Sequence, residues 1–191
     1  MAGAVILARH GEPALSRRVM LSAAEYRRWW ARYEEGGLKP GQTPPANLVA
    51  SADAAGKVFS STRERSKESA RAICRGRAFS SDPLFIEAPL PSPPFPDALR
   101  LPPRWWGVIS RFWWAVFDYH DGQESRAEAE ARALEAARLL SQQTTDGEDV
   151  VLIAHGYFNF MIGRALVAQG WRRTLNQGFK YWSTRRFELP R

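Results

Sequence analysis

Near the start of the chain lies the stretch Val5-Ile6-Leu7-Ala8-Arg9-His10-Gly11. Its first four residues are short-branched or small and continuously apolar, which predicts a buried β-strand over Val5–Ala8. The stretch Val150-Val151-Leu152-Ile153-Ala154-His155-Gly156 repeats this design, with a second buried strand predicted over Val150–Ala154. Two of the three histidines therefore lie at the ends of predicted strands, His10 two residues after Ala8 and His155 directly after Ala154, and each is followed by a glycine.

Outward from these strands, the sequence alternates between helical and extended patterns. Ser22 and Glu25 form a capping-box signature, and the aromatic spacing after them predicts a helix over Ser22–Glu35. Further helices are predicted over Glu64–Cys74, Trp105–Phe117, Ser125–Gln142 and Tyr157–Gln169, and further strands over Lys57–Ser60 and Lys180–Glu188. At 191 residues, this alternation favours a single layered α/β domain over residues 1–191.

Two neighbouring segments have an unusual composition, the first rich in proline and the second rich in aromatic residues. The stretch 83–103 is rich in proline, which predicts a long irregular loop. In the helix Trp105–Phe117 that follows, most aromatic residues fall on one predicted buried stripe, and Trp114 falls beside it. We hypothesise that the loop and the helix cover the functional site and shape its specificity.

Composition limits the classes of function. The net charge of +7 comes from 27 basic and 20 acidic residues and would attract anions, but no run of five basic residues indicates a dedicated nucleic-acid surface. The single Cys74 cannot form an internal disulfide, which agrees with a reducing compartment. No basic segment precedes the apolar run at Val5, and no apolar stretch is long enough to cross a bilayer. We therefore expect a cytoplasmic protein without a membrane partner.

The residues at the strand ends suit phosphoryl transfer. Open α/β folds bind ligands at the carboxyl ends of their strands, where His10 and His155 are predicted to lie. A neutral imidazole is a good nucleophile near pH 7, and arginine binds phosphoryl oxygens through two parallel donors. Cys74 and the three histidines have no zinc-like spacing, so we expect neither a metal nor a cofactor.

Five blocks of the sequence, in order, resemble the histidine phosphatase superfamily, which includes enzymes similar to phosphoglycerate mutase. The Arg9-His10-Gly11 signature comes first, and His155-Gly156 closes the series. Between them lie Phe59–Ala70, in which Arg65 rather than Arg63 matches the phosphate-binding arginine, then Phe85-Ile86-Glu87, then Gly122-Gln123-Glu124-Ser125.

The resemblance implies a three-layer α/β/α sandwich with a mainly parallel central sheet and helices on both faces. It also implies hydrolysis of a phosphomonoester, a small phosphorylated molecule or a phosphoprotein, through a phosphohistidine on His10. The residues that it assigns to the site are His10 as nucleophile, Glu87 as proton donor, and a phosphate-binding set of Arg9, Arg65, His155, Gly156 and Ser16.

The sequence also departs from the family pattern. Glu87 is followed by Ala88 and a proline-rich run instead of glycine and an acidic residue, and Phe160 stands where relatives often have arginine. Both departures concern the substrate more than the phosphoryl-transfer residues. Two alternatives stay open: phosphoryl transfer of the phosphoglycerate-mutase type, and a catalytically inactive module that binds a phosphorylated ligand or nucleic acid.

Overall fold

The computed structural model describes residues 3–144 and 147–190, and its centre is a six-stranded sheet. The strands follow the order β3-β2-β4-β1-β6-β5. The pairs β3–β2, β2–β4 and β4–β1 are parallel, whereas β1–β6 and β6–β5 are antiparallel. The strands are β1 (Val5–Arg9), β2 (Lys57–Ser61), β3 (Ser80–Asp82), β4 (Val150–Ala154), β5 (Arg172–Asn176) and β6 (Thr184–Glu188).

Helices cover both faces of this sheet. They are α1 (Ala23–Glu35), α2 (Ala46–Ala54), α3 (Glu64–Cys74), α4 (Pro103–Phe117), α5 (Arg126–Gln142) and α6 (Gly156–Ala168). Alternate residues of β1 belong to different cores: Leu7 packs with α5 and α6, while Ile6 packs with α2 and α3. The sequence-based expectation of an α/β sandwich with a mainly parallel sheet is confirmed.

Local signals mark the starts of two helices. Ser22 accepts a hydrogen bond from the Glu25 backbone and Glu25 bonds back to Ser22, so a complete capping box begins α1. Ser125 and Glu128 form a second capping box at α5. These caps fix the starts of the two helices one residue after the serine.

The C-terminal part of the sheet differs from the prediction. The strand expected over Lys180–Glu188 begins only at Thr184, because Trp182 has a left-handed backbone (φ +61°) that ends a turn before it. Strand β5 was not predicted. All five of its residues are exposed at the sheet edge, so it has no apolar alternation that would mark it as a strand.

The buried face of α4 was also predicted wrongly. Trp106, Ser110 and Trp114 are completely buried, whereas Trp105, Phe112, Val116 and Phe117 are at least half exposed. The helix is apolar nearly all the way round, so spacing alone could not identify its buried face, and Ser110 interrupts the apolar pattern on the side that is buried. The loop before it contains one 3₁₀ turn at Pro83–Phe85, and Pro103 already belongs to α4. In the described part of the chain, no helix is long and apolar enough to cross a membrane.

Candidate active site

The two strand-end histidines meet at one edge of the sheet. β1 and β4 are parallel neighbours with Arg9 opposite Ala154, so the residues that follow them emerge side by side. The backbone N–H of His10 donates to the carbonyl of Ala154 at 3.0 Å. The ring centroids of His10 and His155 are 5.2 Å apart, and only 2% and 1% of these residues are exposed. The fold thus creates a buried pair of imidazoles.

Arg65, in the first turn of α3, links this pair. Its Nε donates to Nε2 of His10 and its Nη2 to Nδ1 of His155, both at 3.3 Å. Its Nη1 donates to the carbonyls of Tyr33 (2.8 Å) and Glu34 (3.2 Å), and Nη2 also donates to Oε1 of Glu34 (2.7 Å). These bonds occupy all five N–H donors of the guanidinium. One edge of a fixed cation therefore faces both histidines.

The C-terminal end of α1 holds this cation in place. Carbonyls in the last turn of a helix lack helical partners and lie at the negative end of its dipole, so they bind a guanidinium well. The Tyr33 ring lies 4.8 Å from Cζ of Arg65. The carboxylate of Glu34 bridges Arg65 and Arg63, the latter at 2.8 Å. Arg65 is only 1% exposed, so its charge is removed from water at a cost in free energy. The negative charge of Glu34 offsets part of this cost.

His10 is held as a neutral imidazole with a defined tautomer. Its Nδ1 lies 2.7 Å from the carbonyl of Gly11, so Nδ1 carries the proton and donates, and Nε2 keeps a lone pair toward Arg65. Burial, followed by the charges of Arg65 and Arg9, holds the pKa of His10 well below its ordinary value. Nε2 is therefore unprotonated near neutral pH, and its lone pair accepts the hydrogen bond from Arg65.

His155 has the opposite tautomer. An arginine can only donate, so Nδ1 of His155 accepts from Arg65, and its proton lies on Nε2, which donates to Oγ of Ser61 at 2.9 Å. Burial, followed by the charge of Arg65, holds the pKa of His155 well below its ordinary value. Both rings of the pair are therefore neutral in the absence of a ligand.

These assignments predict the nitrogen NMR spectrum of the free protein. In a titration of ¹⁵N-labelled protein, we expect the His10 and His155 rings to stay neutral as the pH falls through about 6.5, the ordinary histidine value. The ¹⁵N shifts should show a proton on Nδ1 of His10 and on Nε2 of His155. Assignment by single His→Asn variants identifies each ring, and a midpoint at or above 6.5 for either ring would contradict the prediction.

Arg9 brings a second guanidinium with an unused donor. Its Nη1 donates to the carbonyl of Phe179, and its Cζ lies 4.4 Å from the centre of the Tyr181 ring. Its Nε is buried and has no hydrogen-bond partner among the described residues. A Cβ atom at Gly156 would lie only 3.4 Å from this nitrogen, so the glycine leaves the space beside it open. An anion in that space would satisfy a buried donor that is otherwise unpaired.

Glu87 lies at the edge of this arrangement. Its Oε1 accepts from the backbone N–H of Phe158 at 2.8 Å and its Oε2 from that of Tyr157 at 3.4 Å, so the carboxylate binds the start of α6 directly after His155. Glu87 also lines an open cavity of about 590 Å³ together with Glu34, Arg63 and Pro89.

Comparison with known proteins gives the family. A model of the histidine phosphatase superfamily (branch 1) matches residues 45–189. The chain belongs to the histidine phosphatase superfamily. The matched range contains Arg65, Glu87 and His155. Strand β1 lies before this range; it ends at Arg9, directly before His10, and pairs with the matched strand β4.

Solved structures share the fold of this superfamily member at low identity. The mycobacterial glucosyl-3-phosphoglycerate phosphatase is 20% identical, and the match covers 97% of this chain and 89% of that chain with a TM-score of 0.54. A phosphoserine phosphatase variant from Entamoeba histolytica is 15% identical, with 87% and 80% covered and a TM-score of 0.55. No curated protein matches the chain.

The candidate site contains most of the residues that the sequence suggested. The structure groups Arg9, His10, Arg65, His155 and Gly156, with Glu87 beside them. Ser16 is not in this group: it is exposed, and its Oγ accepts from the backbone of Arg18 at 3.2 Å. Its neighbour Arg17 faces the site instead, and donates to the Tyr181 hydroxyl at 3.1 Å.

Three contributors to the site of this histidine phosphatase superfamily member escaped sequence reasoning. Glu34 follows the buried aromatic stripe of α1 by one position and cannot be distinguished there from the solvated Glu35. Ser61 belongs to the block with Arg65, but the sequence does not show that its hydroxyl reaches His155. Tyr181 lies in a turn whose path depends on the unpredicted β5–β6 hairpin.

Positive charge dominates the candidate site. Arg9, Arg65 and Arg63 are close enough to the histidines to lower the pKa of His155, and Arg9, Arg65 and Arg17 lower that of His10. Among the residues that the structure describes, no three His, Cys, Asp or Glu side chains are grouped so that they could hold a metal ion. The arrangement favours an anion with several oxygens.

Proposed function

We propose that this protein hydrolyses phosphomonoesters through a phosphohistidine on His10. The observation that carries the proposal is the set of donors around the histidine pair: the Arg65 edge directed at both rings and the unpaired Nε of Arg9. A phosphoryl group in transfer spreads its negative charge over three oxygens, and preorganised donors stabilise it.

In the first step, Nε2 of His10 attacks phosphorus. A N–P bond forms, the P–O bond to the leaving group breaks, and the departing oxygen takes a proton. The Nδ1–H bond to the carbonyl of Gly11 directs the Nε2 lone pair and stabilises positive charge that develops on the ring. In the second step, water attacks phosphorus and gives a proton to Glu87, the N–P bond to His10 breaks, and phosphate leaves with His10 neutral again.

Arg65, Arg9 and His155 form the proposed oxygen-binding set. A phosphoryl group placed between Arg65 and the rings would accept the Nε and Nη2 donors that now bond to imidazole nitrogens. Nδ1 of His155 then loses its donor beside a dianion, which favours a proton on that nitrogen and a further hydrogen bond to phosphate. Tyr33 and Glu34 keep the guanidinium oriented throughout.

Glu87 is the proposed proton donor to the leaving group and the base for water. Its carboxylate accepts from the first turn of α6, directly after His155, and it lines a cavity together with Glu34, whose carboxylate contacts Arg65. Glu34 lines the same cavity, but its two oxygens form ion pairs with Arg63 and Arg65, whereas the oxygens of Glu87 accept only from backbone N–H groups among the described residues. Glu87 is therefore the carboxyl that is better placed to exchange a proton.

A Glu87→Gln variant tests this role. General acids contribute about 10²- to 10⁴-fold, so the variant should slow phenyl phosphate by about that factor and nitrophenyl phosphate by less than about tenfold, because nitrophenolate leaves without a proton. Glu124→Gln is the matched control, since Glu124 lines the same cavity but pairs with Arg132. Equal losses on both substrates would assign Glu87 to capping α6 alone.

Trapping of the phosphoenzyme tests the proposed function as a whole. Brief incubation with ³²P-labelled phenyl phosphate should label the protein through a bond that is stable in alkali and labile in acid. Release of phosphate to water supports hydrolysis, whereas transfer to an added second substrate supports the mutase alternative. Tight binding of the phosphate ester with neither label nor turnover would instead support an inactive binding module.

A further inference from the structure

A second groove lies beside the active site, between α6 and the hairpin of β5 and β6. It encloses about 460 Å³. Its floor is apolar: Phe187 of β6 packs against α6 at Gly163, where an added Cβ atom would lie 2.7 Å from the Phe187 ring. Phe160 and Val167 complete this floor. The groove can therefore accommodate hydrocarbon as well as polar groups.

Among the residues that the structure describes, three arginines from three elements line the groove, and no carboxylate does. They are Arg164 of α6, Arg173 of β5 and Arg185 of β6. Within residues 3–144 and 147–190, the side chains of Arg164 and Arg173 make no hydrogen bond or ion pair. Two exposed cations thus face the groove without a counter-charge.

Arg185 adds a buried charge to this pair. It is only 4% exposed, its Nη2 donates to the carbonyl of Gly178 at 2.8 Å, and its Cζ lies 4.5 Å from the centre of the Phe179 ring. Burial, followed by the charges of Arg173 and Arg9, lowers the pKa of Arg185. A buried cation that is surrounded by like charges is costly, and a bound anion would offset this cost.

One residue separates this groove from the proposed phosphoryl pocket. The carbonyl of Phe179 accepts from Nη1 of Arg9, while its ring contacts Arg185 and lies 6.1 Å from the ring of Phe160. Phe179 is therefore in contact with Arg9 of the proposed phosphoryl pocket through its carbonyl and with Arg185 of the groove through its ring. A ligand that crosses this aromatic rim would reach both groups of cations.

We propose that the groove binds a second acidic group of the same substrate. The substrate class is then a phosphomonoester joined through a largely apolar linker to a second phosphate or carboxylate. This inference rests on the proposed function, because it takes the histidine pair as the position of the first phosphoryl group. Arg164, Arg173 and Arg185 would bind the second anion, and Phe160, Phe179 and Phe187 would contact the linker.

Phosphonates, whose C–P bond is not hydrolysed, allow a direct test. Calorimetry should compare α,ω-alkane bisphosphonates with alkyl monophosphonates of the same length, from two to ten carbons, on the whole protein. At the carbon-chain length that spans the histidine pair and the groove, we expect the bisphosphonate to bind at least about tenfold more tightly than the monophosphonate, with one ligand per chain. A series with one terminal carboxylate shows whether the groove distinguishes phosphate from carboxylate, since either result fits the proposed class.

Variants that each remove one positive charge show which arginines produce the gain in affinity. Arg164→Gln and Arg173→Gln should each reduce the ratio of the two dissociation constants to about threefold or less. Arg172→Gln is the matched control, because Arg172 adjoins Arg173 on β5 but does not line the groove. It should keep the full ratio.

The outcomes separate this inference from the proposed function. Absence of any length-dependent gain, or binding of two monophosphonates per chain without a tether effect, overturns the groove as a substrate site. Hydrolysis of phenyl phosphate by the same preparation reports on the proposed function. A protein that hydrolyses phenyl phosphate but shows no gain refutes only the groove.

Discussion

Replacing His10 with alanine is expected to reduce phosphomonoesterase activity by about 10⁴-fold or more and to abolish the phosphoenzyme. The loss is large because the residue is the proposed covalent nucleophile, and no other residue can take over a bond to phosphorus at that point. The tautomer supports this role, since Nε2 is unprotonated and faces Arg65, while Nδ1 is engaged by Gly11. Single-turnover and steady-state rates with nitrophenyl phosphate measure the effect.

His120 provides the matched control for this prediction. It is the third histidine of the chain and lies after α4, outside the histidine pair. His120→Ala should keep the turnover and the phosphoenzyme of the unmodified protein. If His10→Ala retained even one tenth of the original rate, the phosphohistidine mechanism would be wrong, whatever the activity of the His120 variant.

The second large effect is expected from Arg65→Ala. Loss of one oxyanion donor typically costs about 10²- to 10³-fold in rate, and Arg65 offers two donors toward the histidine pair, so we expect about 10³-fold or more. The substitution also leaves Tyr33 and Glu34 without their cation. Thermal unfolding should therefore accompany the kinetics, and Arg65→Lys, which keeps the charge but not the paired donors, should still lose at least about tenfold.

Arg63→Ala is the paired control for this effect. Arg63 contacts the same carboxylate as Arg65, but it makes no hydrogen bond to either histidine and is about one-third exposed in its side chain. Partly exposed ion pairs contribute little, so a loss below about tenfold is expected. A larger loss for Arg63→Ala than for Arg65→Ala would show that the two arginines have the reverse roles.

Much of the fold could be predicted because its signals are local. The continuous apolar runs at Val5 and Val150 are short and end in polar residues, which identifies central parallel strands. The serine and glutamate pairs at Ser22 and Ser125 mark helix starts through bonds within four residues. The edge strand β5 and the orientation of α4 have no such local signal, because they depend on which neighbour each segment packs against.

The residues of the candidate site could likewise be predicted only where their signal is local in the sequence. His10 and His155 were found because a histidine and a glycine directly follow each buried strand, so sequence and geometry coincide. The bonds from Arg65 to the end of α1 join segments that are distant in sequence, and nothing in the composition of Glu34 or Tyr33 reveals them. Ser16 was suggested by family spacing alone, and its exposed neighbour Arg17 contacts Tyr181 beside the site instead.

The complete set of hydrogen bonds around Arg65 gives the proposed phosphoryl pocket a means to reject neutral molecules. All five guanidinium donors already have acceptors, and any ligand between the cation and the imidazoles must break two of these bonds. An alcohol or a sugar hydroxyl offers no charge in exchange, so its net gain is small. A dianion compensates for the two lost hydrogen bonds by forming stronger charge-assisted ones. The proposed pocket therefore selects anions over neutral molecules without any contact with the rest of the substrate.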